Sequence, residues 1–220
     1  MKKLSILFLF FCVVLTQVSA QESTEKTVFD YSKTKHEFSL DLAPIILGQY
    51  PSNLLYRNHY VSKNGKNVAL RLGAYLNADV SSSENEGGNL NNTNRDNQGI
   101  NIYIGKEWQK TFHPKIIGYY GIDFGTGFGR SSFDVQPNDP NLIPYSQKST
   151  SFNLNSTGFL GMRYHFSKHF SVSAETSIIL NFNTGTNTFI RPDIEDSESN
   201  FSGVNLSMSP LRAVRFSFHF

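Results

Sequence analysis

The stretch Ala213–Phe220, AVRFSFHF, alternates without a break. Val214, Phe216, Phe218 and Phe220 fall on one side, and Ala213, Arg215, Ser217 and His219 on the other. A period of two is the signature of a β-strand. Three phenylalanines on one face, the last of them terminal, are more aromatic surface than a soluble domain places at a fraying end. The aromatic face is therefore expected to meet lipid, with Arg215 and His219 turned inward. That expectation holds only if the rest of the chain shares the pattern.

It does, from His36 onward. FSLDLAPI sets Phe38, Leu40, Leu42 and Ile46 on one side. NVALRLGAYLNADV, GINIYIGKEW, KIIGYYGIDFGTGFG, SFNLNSTGFLGMRYHF and HFSVSAETSIILNF do the same with their apolar residues. LLYRNHYV, with Tyr56 and Tyr60 opposite Arg57 and His59, is the faintest of the eight strands. The faces opposite are polar or small, and charges of both signs stand in mid-strand. Short breaks (Ser62 to Lys66, Lys110 to Pro114, Ser167–Lys168) alternate with long polar ones (Val80 to Gln98, Ser131 to Thr150, Asn183 to Asn200), and the smaller GQYPSN joins the first two strands. Tight turns at one rim and long loops at the other are the plan of a membrane barrel. One segment fits poorly, because Phe201–Phe220 exceeds the roughly 9–11 residues a membrane strand needs. Arg212–Phe220 is read as the membrane part and Phe201–Leu211 as an extension above the bilayer; the alternative is a tight turn at Ser209–Pro210 that makes Phe201–Leu211 a separate strand. Arg212, on the parity of the phenylalanines, is expected to snorkel to lipid phosphates at the outer interface.

The other end carries Lys2 and Lys3, an apolar run Leu4–Leu15 and small residues up to Ala20, the pattern of a secretory signal. The run is too short for a transmembrane helix, which needs about 20 residues. Cys12, the only cysteine, sits inside the apolar run and leaves with it, so no disulfide or thiol chemistry is expected. The organisation read from this is a signal peptide over 1–20, a flexible periplasmic segment over 21–35 and a barrel over 36–220. Without Lys2 and Lys3 the 20 basic residues fall level with the 18 acidic ones, which gives no footprint for a nucleic acid partner.

A lipocalin-like soluble barrel would also alternate. The mid-strand charges argue for a polar interior instead. So do aromatics at both strand ends: Tyr60, Trp108, Tyr164, Phe166 and Phe170 near the short turns, Phe128, Phe152 and Phe182 near the long loops, as membrane interfaces favour. The fold class expected is all-β: an eight-stranded antiparallel up-and-down transmembrane β-barrel with short periplasmic turns and long extracellular loops.

On these residues the chain resembles the small eight-stranded outer-membrane β-barrel proteins common in Bacteroidota, similar to the OmpA/OmpX-type barrels. The resemblance covers the signal peptide, the strands and the ending VRFSFHF. It implies a Gram-negative outer membrane and lipid and lipopolysaccharide neighbours. It also implies an assembly signal at Val214, Phe216, Phe218 and Phe220 that the barrel-assembly machinery reads. It says little about activity, since such folds serve different tasks.

An eight-stranded barrel is just wide enough for side chains to fill it. Glu37, Asp41, Arg57, Arg71, Glu107, Asp123, Arg163, Glu175 and Arg215 are therefore read as a paired network plugging the lumen, since unpaired buried charge costs several kcal/mol per ion. The role that follows is structural or interactive, in envelope integrity or contact with an outer-membrane protein partner. A narrow channel for small solutes is the alternative, and a lipid-modifying enzyme the second. The enzyme reading has little behind it: parity turns His59, His165 and His219 inward and leaves His36, His113 and His169 at the short-turn rim, away from lipid A chemistry. No Cys/His/Asp spacing indicates a metal, and no cofactor is expected. GIDFGTGFG lies in a strand rather than before a helix, so it is read as room for bulky neighbours and not as a phosphate loop.

Overall fold

Alternation is what an antiparallel sheet closed on itself requires, and the computed structural model, which describes residues 27–46, 53–83, 91–139 and 141–220, has that architecture. The signal-peptide reading over 1–20 lies outside the described residues. Among these there are eight strands, β1 (His36–Asp41), β2 (Asn53–Val61), β3 (Asn67–Ser83), β4 (Asn92–His113), β5 (Ile116–Gln136), β6 (Tyr145–His165), β7 (Phe170–Ile190) and β8 (Ser197–His219), and one helical turn, α1 (Ala43–Ile46). Each strand pairs antiparallel with its neighbour in sequence, and β8 closes on β1. The closing seam runs from Glu37↔His219 to Asp41↔Arg215. It ends in a reciprocal clasp: His36 N–H donates to the Phe220 carbonyl at 2.9 Å and Phe220 N–H to the His36 carbonyl at 2.8 Å. Both backbone groups of the terminal Phe are thus spent on closing the barrel.

The faces are inverted relative to a soluble barrel. Phe38, Leu72, Ile104, Phe124, Leu160, Ile178 and Phe218 are exposed, whereas Glu37, Arg57, Arg71, Glu107, Arg163 and Glu175 are buried. At about 3.3 Å per residue and a tilt of about 40°, the outward run from Phe170 to Phe182 climbs about 30 Å, the thickness of a hydrocarbon core. No helix of the described residues is long and apolar enough to cross a membrane. The strands are the transmembrane elements; where the ring closes, at Glu37–Asp41 against Arg215–His219, the ladder pairs backbone with backbone within the protein as lipid demands, and beyond it β8 pairs with β7 alone.

Three expectations need correction. The long polar breaks are largely strand: β3 to β4 leaves only the residues between Ser83 and Asn92, β5 to β6 those between Gln136 and Tyr145, and β7 to β8 those between Ile190 and Ser197. Ladder hydrogen bonds need no apolar side chain, so pairs such as Thr150↔Thr186 and Ser131↔Ser149 carry the hairpins past the apolar belt. Phe201–Leu211 is not an extension above that belt either. Val204, Leu206 and Met208 stand opposite Phe182, Leu180 and Ile178, within it. β1 stops at Asp41 instead of continuing to Ile46, because the Asp41 carboxylate accepts from the backbone of Ala43 at 3.1 Å and starts α1. GQYPSN lies mostly outside the described residues.

The segment expected to be flexible over 21–35 is described only in part. Residues 27–35, the part described, form a strap across the short-turn mouth. Val28 N–H donates to the Pro114 carbonyl at 3.0 Å, and Phe29 and Thr34 are buried. Gly65, at φ +71°, makes the tight turn between β2 and β3 possible.

Candidate functional site

Inward parity gives each strand one lumenal residue in two, and in the short-turn half the large ones are mostly charged or aromatic, with serines such as Ser39, Ser171 and Ser217 between them. Their volumes fit because aromatics face glycines directly across the ladder: Tyr103↔Gly73, Tyr119↔Gly161 and Phe159↔Gly121. A Cβ on Gly161 would fall within the Tyr119 ring, and one on Gly121 would lie 2.5 Å from Phe159 Cζ. The ring lies flat over the bare backbone, and the guanidinium groups pack against the ring. Arg71 Cζ is 3.6 Å from the Phe159 centroid, Arg163 is 5.0 Å and Arg57 5.5 Å from that of Tyr119.

The carboxylates connect the arginines. Glu107 accepts from Arg57 Nε at 2.9 Å, Arg163 Nη2 at 3.1 Å and Arg71 Nη1 at 3.3 Å. Glu37 is bound by Arg57, lies 3.4 Å from Arg163 Nη2 and bonds His59 at 2.8 Å. Glu175 takes Arg71 through both terminal nitrogens, at 3.0 and 3.3 Å, and Arg215 approaches it at 3.1 Å. Asp123 meets Arg71 Nε at 3.2 Å. The chain of contacts runs unbroken across the bore from Glu37 to Asp123, and none of its members reaches solvent. Asp41 stands apart: its carboxylate caps the backbone of Ala43 and Val214, at 3.1 and 3.2 Å, rather than pairing with an arginine.

Arg212 is placed differently from its expectation. It points into the lumen, 3.4 Å from Glu175 and 3.5 Å from Asp123, and lies 5.6 Å from the Tyr103 centroid. The cause is a bulge. Between Glu175↔Ala213 and Ser177↔Ser209 the register shifts, so β8 spends more residues than β7 over the same rise. Counting back by twos from Phe220 fails at that point.

Below the lattice, the strap inserts Tyr31 among three histidines from β2, β6 and β8. Its ring stacks on His59 at 3.9 Å, and its hydroxyl bonds His165 Nε2 at 3.0 Å and accepts from Arg163 Nη1 at 2.9 Å. Burial pushes the Tyr31 hydroxyl well above its ordinary pKa, so it stays protonated. Phe29 covers His165 at 4.6 Å. Sequence reasoning missed the strap, since nothing in EKTVFDYSK alternates. An isolated aromatic pair one residue apart was the only signal.

Two constellations here were invisible in the sequence because their members come from β1, β2, β7 and β8. Ser171 Oγ bonds His219 Nε2 at 2.8 Å, and His219 Nδ1 lies 3.9 Å from Glu37. The order is that of a nucleophile, base and acid, but Ser171 is fully buried, so no substrate carbonyl reaches it. Glu37, His59 and His219 also bring ligand-capable atoms within 4.8 Å of one another. A cation there would sit beside the two guanidinium groups already bound to Glu37.

The remaining site residues lie outside the barrel. Tyr60, Tyr164, Phe166, Phe170, Phe128, Phe152 and Phe182 are exposed on its outer wall. Trp108 stacks on Tyr120 at 5.6 Å. Phe216, Phe218 and Phe220 point outward as well, with Phe218 between Phe170 and Phe220 at 5.3 and 5.7 Å. Val214 lies half-buried on the same face.

No protein-family model matches the sequence. No curated protein matches it either. Among solved structures, a major outer membrane protein from Thermus thermophilus is similar, with a TM-score of 0.44 and 12% identity, covering 84% of this chain and 99% of that one. The barrel assignment itself rests on the ladder and its closure.

Proposed function

We propose that the chain is an outer-membrane β-barrel protein with a sealed lumen and a structural or interactive role, serving envelope integrity or partner contact. In this reading the short turns and the strap face the periplasm. The hairpins β3–β4, β5–β6 and β7–β8 project outward past the lipopolysaccharide headgroups, and the phenylalanine face of β8 is the signal the assembly machinery reads. The observation that carries the sealed lumen is the Glu37–Arg57–Glu107–Arg71–Glu175 chain of contacts across the bore. Removing one member to open a path would leave its partners as buried, unpaired charge, at several kcal/mol per ion.

Three measurements test this. Refolded protein runs faster on a gel before boiling than after, and it partitions with outer membranes. Planar bilayers holding it stay silent. A steady unitary conductance would overturn the sealed-lumen reading in favour of a solute channel, and a soluble, heat-insensitive product would overturn the membrane reading itself. The lipid-modifying alternative gains nothing from the site, because all six histidines lie toward the short-turn end of the barrel.

A further inference from the structure

Above the charge lattice the lumen widens into a cup of about 340 Å³, open toward the long-strand end. Its wall is built of amides: Asn53, Asn101, Asn153, Asn155 and Asn181, from β2, β4, β6 and β7. The volume lies at the low end of small-molecule pockets. We propose that this cup is a binding site for a neutral saccharide.

The lining selects the ligand class. It contains no carboxylate, so it offers nothing to a cation. Its one cation, Arg212, is already matched by Asp123 and Glu175 at 3.5 and 3.4 Å, so an anion would have to displace them. Its one aliphatic side chain, Ile179, is too little surface to hold an apolar guest. Amides, by contrast, present a donor and an acceptor side by side, which is what neighbouring sugar hydroxyls require. Asn101 donates to Asn153 at 3.0 Å, and Asn155 donates to Asn101 and Asn153 at 3.4 Å each. These contacts leave about half of the trio's donor and acceptor capacity unspent. Two aromatic rings complete the cup: Tyr75, exposed, and Tyr103, whose hydroxyl donates to Asn53 at 3.2 Å. A ring face beside polar side chains is suited to the C–H face of a pyranose.

The sequence also keeps the amides in place. GIDFGTGFG on β5 supplies the bare backbone over which they lie. A Cβ on Gly127 would come 2.7 Å from Asn153 and 2.8 Å from Asn101, and one on Gly125 would come 2.6 Å from Asn155. With the lattice as its floor the cup is blind, so it binds a sugar without passing it through.

The experiment is calorimetric titration of the refolded full chain in lauryldimethylamine oxide, a detergent without a sugar headgroup, with cellobiose, maltose and N,N′-diacetylchitobiose. At least one gives saturable one-to-one binding. Asn153→Leu weakens it by about tenfold or more while heat-modifiable gel mobility is unchanged. Lipopolysaccharide as competitor identifies the source: displacement assigns a lipid-linked glycan, and no displacement a free one. Absence of binding by all three disaccharides to the folded barrel overturns the proposal. So does binding that Asn153→Leu leaves intact, or galacturonate binding more tightly than any neutral sugar. Conductance measurements are independent of these results, so a leaky lumen and an empty cup remain distinguishable.

Discussion

The two halves of the lumen are lined from the same barrel wall on the same inward parity, yet they are opposite materials. The short-turn half is packed solid with Arg57, Arg71, Arg163 and Arg215 against Glu37, Glu107, Asp123 and Glu175. The long-strand half holds amides around open space. In a soluble protein the packed half would be apolar. Here lipid takes the apolar side chains on the outer wall, so the interior coheres through ion pairs and rings. Such an interior is held by the matching of its charges, while the amide half has no comparable charge to strand. Substitutions should therefore be costly below and cheap above.

The strongest test of that asymmetry is Glu107→Leu. It removes the carboxylate that binds three arginines and leaves their charge buried. A loss of about 3–5 kcal/mol is expected, the scale for breaking a buried pair from one side. Urea unfolding followed through Trp108, the only tryptophan, reads it, with Asn153→Leu as the partner variant in the upper half. Equal midpoints for the two would erase the distinction between halves. Next in size is Gly161→Val, which drives a side chain into the Tyr119 ring and should cost about 1–3 kcal/mol by overpacking. Gly158→Val, on the same strand but with nothing within 4 Å of its Cβ position, is the control and should leave the midpoint within error or raise it.

The contrast was only partly legible in the sequence, and the reasons are physical. Period two sorts residues by face, so Arg57, Arg71, Glu107, Asp123 and Glu175 could be grouped before any partner was known. It carries no information about height or about contacts across the bore. That Glu107 serves three arginines while Asp41 turns to the backbone depends on barrel closure and strand stagger. The Ser171–His219–Glu37 alignment is hidden for the same reason. Polar hairpin ends such as Ser146–Thr150 looked like loops because composition reports lipid contact, whereas pairing is made by backbone. The strap shows neither alternation nor helical period, since its residues fill a mouth rather than a sheet. GIDFGTGFG was legible as room for neighbours. That those neighbours are rings below and amides above follows only from the register.

A smaller effect sharpens the picture inside the lower half. Arg215 lies 3.1 Å from Glu175, but none of its nitrogens makes an aligned hydrogen bond, whereas Arg71 holds Glu175 through two. Arg215→Met removes a desolvated charge of poor geometry and leaves Glu175 to Arg71 and Arg212, so the midpoint should change by less than about 1 kcal/mol. Arg71→Met strips Glu107, Asp123 and Glu175 together and should fall near the Glu107→Leu value. If the two arginine variants are equally damaged, net charge rather than hydrogen-bond geometry holds the lattice.

The smallest stability effect is expected at the boundary between the halves, at Arg212, and there position is the more useful readout. By parity alone the residue would face lipid; by the bulge opposite Thr176 it faces the floor of the cup. Arg212→Cys, made together with Cys12→Ser so that it holds the chain's only thiol, should react with a charged, water-soluble maleimide from the long-strand side. Its attached fluorophore should escape quenchers dissolved in the bilayer. Met208→Cys, on the outer wall opposite Ile178, should show the reverse. Because Asp123 and Glu175 keep their other arginine partners, the unfolding midpoint of the Arg212 variant should stay close to that of the parent. Lipid quenching at both positions would mean that the register of β8 runs straight through. The floor of the cup would then lose its cation, and the upper half would be bounded by Tyr103 alone.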